Sequence, residues 1–158
     1  MGGKWRDVLN SVGLLVLRLG IGGYMASHGW GKVQMIRTGA TDMWHDPIGV
    51  GKMPSLYMAT FGEFVCAILV MIGLATRPAA LAVVVTMSVA AFVVHRNDPW
   101  SMETAAKAFF AGKTQFPVSK EMALLYLVPF LALVFTGPGR VSLDALLLGR
   151  RGRGAASA

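Results

Sequence analysis

A chain of 158 residues has the length of one domain, and its composition, 54% hydrophobic against 15% charged with a mean hydropathy of +0.56, excludes an ordinary soluble one. The single cysteine, Cys66, excludes an intrachain disulfide and a CxxC redox pair. A net charge of +7 does not point to nucleic acid, because Lys and Arg stand at the ends of apolar runs, where they meet lipid headgroups.

Apolar runs at about 8–28, 56–74, 78–95 and 123–137 predict four membrane-spanning helices. A span needs ~20 apolar residues, and in lipid every backbone group must be satisfied within its own segment. The first run has a basic start like a signal peptide, but Arg18 interrupts its core, and "YMASHG" is a poor cleavage site. It therefore reads as a retained helix. A long loop from Gly29 to Pro54 follows, carrying His45, Asp42 and Asp46, a weak metal pattern. The second and third runs are joined by the tight "ATRP" hairpin, with Pro78 suited to a first helical turn. The loop from Arg96 to Val118 contains "WSMETAAKAFFAGK", predicted to form a helical piece lying along the membrane surface. Pro129 frees the Leu125 carbonyl in the fourth run and predicts a kink there. Beyond it, Ser142 is placed to cap a short helix ending near Leu148. The fold class is thus an all-α, integral membrane four-helix bundle over residues 1–149, followed by a basic tail at 150–158 that is expected to be disordered.

Four spans put both termini on one side. The dense cluster Arg150, Arg151 and Arg153 on that side, and the acids on the other, favour cytoplasmic termini.

A charge at membrane depth costs roughly 2.5–3.5 kcal/mol on insertion scales, so Arg18 needs a partner. Glu63 is the charge in the second run. Counting from His28 and Ser55 at ~1.5 Å per residue puts Arg18 ~15 Å deep and Glu63 ~12 Å deep from the same side. An Arg18–Glu63 pair is therefore expected, with small-residue steps Gly22/Ala26, Gly23/Ser27 and Gly62/Cys66 allowing close approach. His28, Lys32, His95 and Glu121 fall at the outer end of the same bundle. Together with the pair they could line one polar cleft opening outward. Cys66 is read as a packing residue, and Trp30, Trp44 and Trp100 as interfacial anchors.

The stretches "LVLRLGIGGYMASHGWGK", "FGEFVCAILVMIGLATRPAAL", "AAFVVH" and "PFLALVFTGPGRVSLDAL" resemble the DoxX family of small four-helix membrane proteins. The resemblance rests on Arg18, His28, Gly29, Lys32, Glu63, the Gly73-Leu74-x-Thr76-Arg77 run, His95 and the Gly137-Pro138-Gly139-Arg140-x-Ser142-Leu143-Asp144 run. It implies a four-helix bundle in a bacterial cytoplasmic membrane. It also implies a relation to a thiosulfate:quinone oxidoreductase and to membrane complexes acting with superoxide dismutase and a sulfurtransferase. The chain departs from a self-sufficient oxidoreductase in having no motif-defined cofactor site.

The expected function is a quinone-linked oxidoreductase subunit. Glu63, Arg18 and His95 would carry the proton and charge chemistry, and His28, Lys32 and Glu121 would bind the ligand. Haem held by His28 and His95 is a weaker expectation, and no metal site is expected. The alternative is a non-enzymatic scaffold, chaperone or small-ligand binder. Expected partners are the bilayer, a redox or other membrane protein and further copies of the chain, but not nucleic acid.

Overall fold

The computed structural model describes residues 2–147. The basic tail at 150–158, and the expected end of the short C-terminal helix near Leu148, lie outside the described residues. The chain folds into α1 (Gly2–Thr38), α2 (Lys52–Thr60), α3 (Ala67–Ile72), α4 (Thr76–Val89), α5 (Met102–Phe110) and α6 (Glu121–Thr136). A π-helical segment, Phe61–Cys66, joins α2 to α3 in one continuous span. A second, Ala90–Val94, extends α4 to the residue before His95. Three of the spans are long and apolar enough to cross a bilayer, and α6 is a shorter apolar helix of 16 residues, ~24 Å long. The result is the expected all-α bundle.

The first span is longer than its apolar run. It continues ten residues past His28, through Gly29 and Gly31, to Thr38. Gly29 continues the helix because it is the point of contact with the second span. A Cβ there would lie 2.6 Å from the Glu63 carbonyl carbon and the Phe64 nitrogen. Lower down, Gly22 meets Ala67 and Met71, and Gly62 meets Thr86 of α4. Lipid offers no hydrophobic gain between helices, so such close approaches are what bind them. Gly23 has open space around it, so the Gly23/Ser27 step is not at a helix interface within the chain. The core runs down the bundle axis through Met25, Ala67, Val70, Val83, Phe130 and Leu133, and it includes Cys66 as a packing residue.

The hairpin between the second and third spans is closed by chemistry local to "IGLATRP". Gly73 takes φ +71, its N–H bonds the Val70 carbonyl at 3.1 Å, and the Leu74 N–H bonds the Leu69 carbonyl at 2.9 Å. This is the Schellman ending that a C′ glycine permits. The surface piece forms as α5, with Ser101 accepting the Thr104 N–H at its start and Phe110 left 84% exposed. Ser142 accepts the Ala145 N–H at 3.1 Å, so it caps the helical turn at 143–147.

Candidate functional site

The antiparallel register of the first two spans decides which charges meet. Arg18 is level with Val70 and Met71, and Gly29 is level with Glu63 and Phe64. Eleven residues of α1 separate those levels, ~16 Å. The expected Arg18–Glu63 pair is therefore not formed. The depth count failed because α1 continues ten residues past its assumed end, whereas the second span begins only three residues earlier than assumed, at Lys52. The two offsets do not cancel.

Arg18 is compensated by carbonyls instead. Its side chain is 0% exposed. Nη1 donates to the Val70 and Met71 carbonyls, each at 3.4 Å, and Nη2 to the Val141 carbonyl at 2.5 Å. The first two belong to the last turn of α3, where carbonyls with acceptor capacity to spare and the negative end of the helix dipole favour a cation. Gly73 makes room, since a Cβ there would collide with the guanidinium and lie 2.6 Å from Ser142 Cβ. Asp144 completes this clasp. Its carboxylate accepts the Ala75 N–H at 2.7 Å and the Thr76 N–H at 2.9 Å, so it caps the start of α4 from a distant part of the chain. Burial pushes the Asp144 carboxyl up, but these N–H groups and the Arg18 charge outweigh it and hold it below the usual carboxylate value. "GLATRP" and "GPGRVSLD" thus meet around one buried guanidinium. Next to them, Arg140 pairs with Asp7 at 2.7 Å, which brings the two terminal segments to the same end of the bundle.

Glu63 pairs with Lys32. The carboxylate side chain is 8% exposed and the Lys32 side chain 18%. Glu63 stands in the π-helical segment, roughly midway along the second span. Single π turns often mark functional positions because they shift a side chain out of the α-helical register. Only Oε2 is spent on Lys32, and among the described residues Oε1 has no hydrogen-bond partner. The Lys32 ammonium also lies 5.7 Å from the centre of the Trp44 ring, and Trp44 Nε1 donates to Ser55 Oγ at 2.9 Å.

Glu63 lines a groove of about 700 Å³ between the second and third spans. Its walls are apolar, with Met58, Phe61, Leu81 and Val85 among them, and Ser55, Thr86 and Glu63 are its polar members. The Thr86 hydroxyl donates to the Ala82 carbonyl at 3.0 Å and the Ser55 hydroxyl to the Lys52 carbonyl at 3.0 Å. Among the described residues Glu63 Oε1 is thus the carboxylate oxygen that the groove leaves unspent. Neither Trp44 nor Thr86 was identified from sequence as a groove residue. Carrying the first span to Thr38 would have put Lys32 near Glu63.

The other expected cleft residues do not join this site. His28 packs edge-on against Tyr126 of α6, with ring centres 5.6 Å apart. His95 Nδ1 bonds Asp98 at 2.8 Å in the following loop. Glu121 accepts the Met102 N–H and so ties the start of α5 to α6. The single outward cleft is thus replaced by the Lys32–Glu63 groove, with three outlying contacts. The haem expectation needs His28 and His95 aimed at a common site, and their contacts take them to different partners. Asp46 is also occupied, by the N–H groups of Ile48, Gly49 and Gly51. Desolvation pushes its carboxyl up, and these donors outweigh that and hold it low. Among the described residues no group of three His, Cys, Asp or Glu side chains could hold a metal ion.

Comparison with known proteins gives one family and one relative. The DoxX family model matches residues 13–96, just over half of the chain. An uncharacterized protein of Haemophilus influenzae is 39% identical over 93 residues, covering 58% of this chain and 60% of that protein. The chain thus spans about 60% of the length of the relative it matches. No solved structure matches.

Proposed function

The chain belongs to the DoxX family, and on that ground we propose that it is a quinone-binding membrane subunit of an oxidoreductase, with Glu63 at the ligand head. The observation that carries the reading is the groove of about 700 Å³, largely apolar in its walls and offering one unspent carboxylate oxygen midway along the second span. Ligand sites of this kind combine an apolar lining with few, fixed polar groups. Such a groove fits an apolar ring that carries hydroxyl or carbonyl groups.

A quinone, when bound, supplies two-electron, two-proton chemistry. The residues of the chain do the rest. Lys32 fixes the carboxylate through Oε2 and leaves Oε1 to accept a hydrogen bond or a proton. The walls exclude water, which strengthens that contact. Arg18 takes no part in this role and serves the clasp. His95, bonded to Asp98 in the loop after the third span, lies outside the groove and takes no part in this role either. The location that goes with this reading is a bacterial cytoplasmic membrane with both termini cytoplasmic.

Titration of the purified protein with a quinone tests the proposal. Wild type should bind it saturably, and Glu63→Gln, which keeps the shape of the side chain, should weaken binding at least tenfold. Equal binding by the two proteins would refute Glu63 as the head contact. A second reading, a lipid carrier without redox function, is favoured by the same apolar walls. It predicts binding of single-chain lipids that is indifferent to Glu63→Gln.

A further inference from the structure

We infer that the groove is loaded sideways from the bilayer and plugged at its loop end, so that its ligand is a quinone held in the membrane by an apolar tail. This rests on the quinone reading above and adds the route and the part of the ligand that decides entry. The plug is built from the segment after α1. Trp44, Pro47 and Ile48 line the loop end of the groove. Trp44 is pinned by its Nε1 bond to Ser55, a residue 3% exposed. Pro47 and Ile48 are held by Asp46, whose carboxylate collects the N–H groups of Ile48, Gly49 and Gly51 and closes the 46–51 turn on itself. A water-dissolved molecule arriving from the loop side meets this closed turn.

The flank facing the lipid is open. Phe61, Leu81 and Val85 line the groove and are 54%, 50% and 56% exposed. From Pro78 to Val94 the groove follows seventeen residues of the third span, ~25 Å, parallel to the lipid chains. Gly62 abuts Thr86, which sets the neighbouring Glu63 partway along that length. A ring at Glu63 therefore leaves room for a tail to run along either arm. The tail matters because it keeps the ligand in the phase from which the groove is open.

The test uses the full chain in lipid nanodiscs and measures the association rate and the equilibrium binding of three probes. These are a polyprenyl quinone, the same quinone ring without a tail, and a polyprenol without a ring. Wild type should bind the tailed quinone at least tenfold more tightly than the tail-less one. Val85→Trp, which fills the lateral window from a lipid-facing position, should weaken the tailed quinone at least tenfold. Leu81→Trp on the same wall repeats the block should the first variant not fold. Trp44→Ala opens the plug and should speed association of the tail-less ring from water at least tenfold. Unchanged binding of the tailed quinone in both window variants, or equal affinity of wild type for the tailed and tail-less rings, would overturn the inference. Tight polyprenol binding that is blocked by Val85→Trp but indifferent to Glu63→Gln would support side entry and refute the quinone head.

Discussion

Two double-mutant cycles test which charge Glu63 meets. Truncating one member of a buried ion pair leaves its partner uncompensated, typically costing ~3–5 kcal/mol. Both side chains here are less than one fifth exposed, so solvent screening removes little of that. Lys32→Met and Glu63→Gln should each be costly alone. The double variant should cost much less than their sum, giving a coupling energy of ~2–3 kcal/mol. The parallel cycle with Arg18→Met and Glu63→Gln should give under ~0.5 kcal/mol, since sites more than ~10 Å apart add independently. Arg18→Met should nevertheless be costly, through its bonds to the Val70, Met71 and Val141 carbonyls. Reversible unfolding in a mixed detergent, followed by circular dichroism, measures all four corners of each cycle. A Lys32/Glu63 coupling below ~0.5 kcal/mol, or an Arg18/Glu63 coupling above ~1 kcal/mol, would refute the register on which the site is built.

Gly73→Ala should destabilise by more than ~1 kcal/mol, because it combines a left-handed backbone with a collision against Arg18, and its unfolding midpoint should fall accordingly. The Asp144 carboxyl is held low in the folded state, so its contribution is present above the unfolded value near ~4 and is lost as pH falls through the folded one. Wild type should therefore lose stability on acidification below ~4, and Asp144→Asn should start less stable at neutral pH and show a flatter acid limb in the same unfolding assay.

The apolar runs made the bundle legible, because lipid leaves the backbone no alternative to a helix. The local turn chemistry was legible too. The hairpin at "ATRP" forms with Pro78 in the first turn of α4, and Ser142 caps the helical turn that follows it. The partner of Arg18 could not be read the same way. A side chain can be matched to a charge by composition, but the acceptors used here are main-chain carbonyls, and every residue carries one. The Lys32–Glu63 contact depended on where α1 ends. Gly29 reads as the start of a loop until the second span is packed against it. His28, His95 and Glu121 shared an end of the bundle in the topology. Sharing an end did not make them share a site.

The π-helical run Phe61–Cys66 also holds a residue the span could lose without losing its register. A π turn holds one residue more than an α turn, so it acts as an insertion absorbed within a single helix. Each residue of an α-helix advances ~100° around the axis and each residue of a π turn less, so the run from Phe61 to Cys66 sweeps about as much as an α-helical run one residue shorter. Deleting one residue there would let the span relax to a regular helix with Ala67 and Val70 still on the core side and the α3 carbonyls still facing Arg18. What the deletion removes is the widened turn that presents Glu63, so a lost residue in this stretch should cost the ligand contact before it costs the clasp.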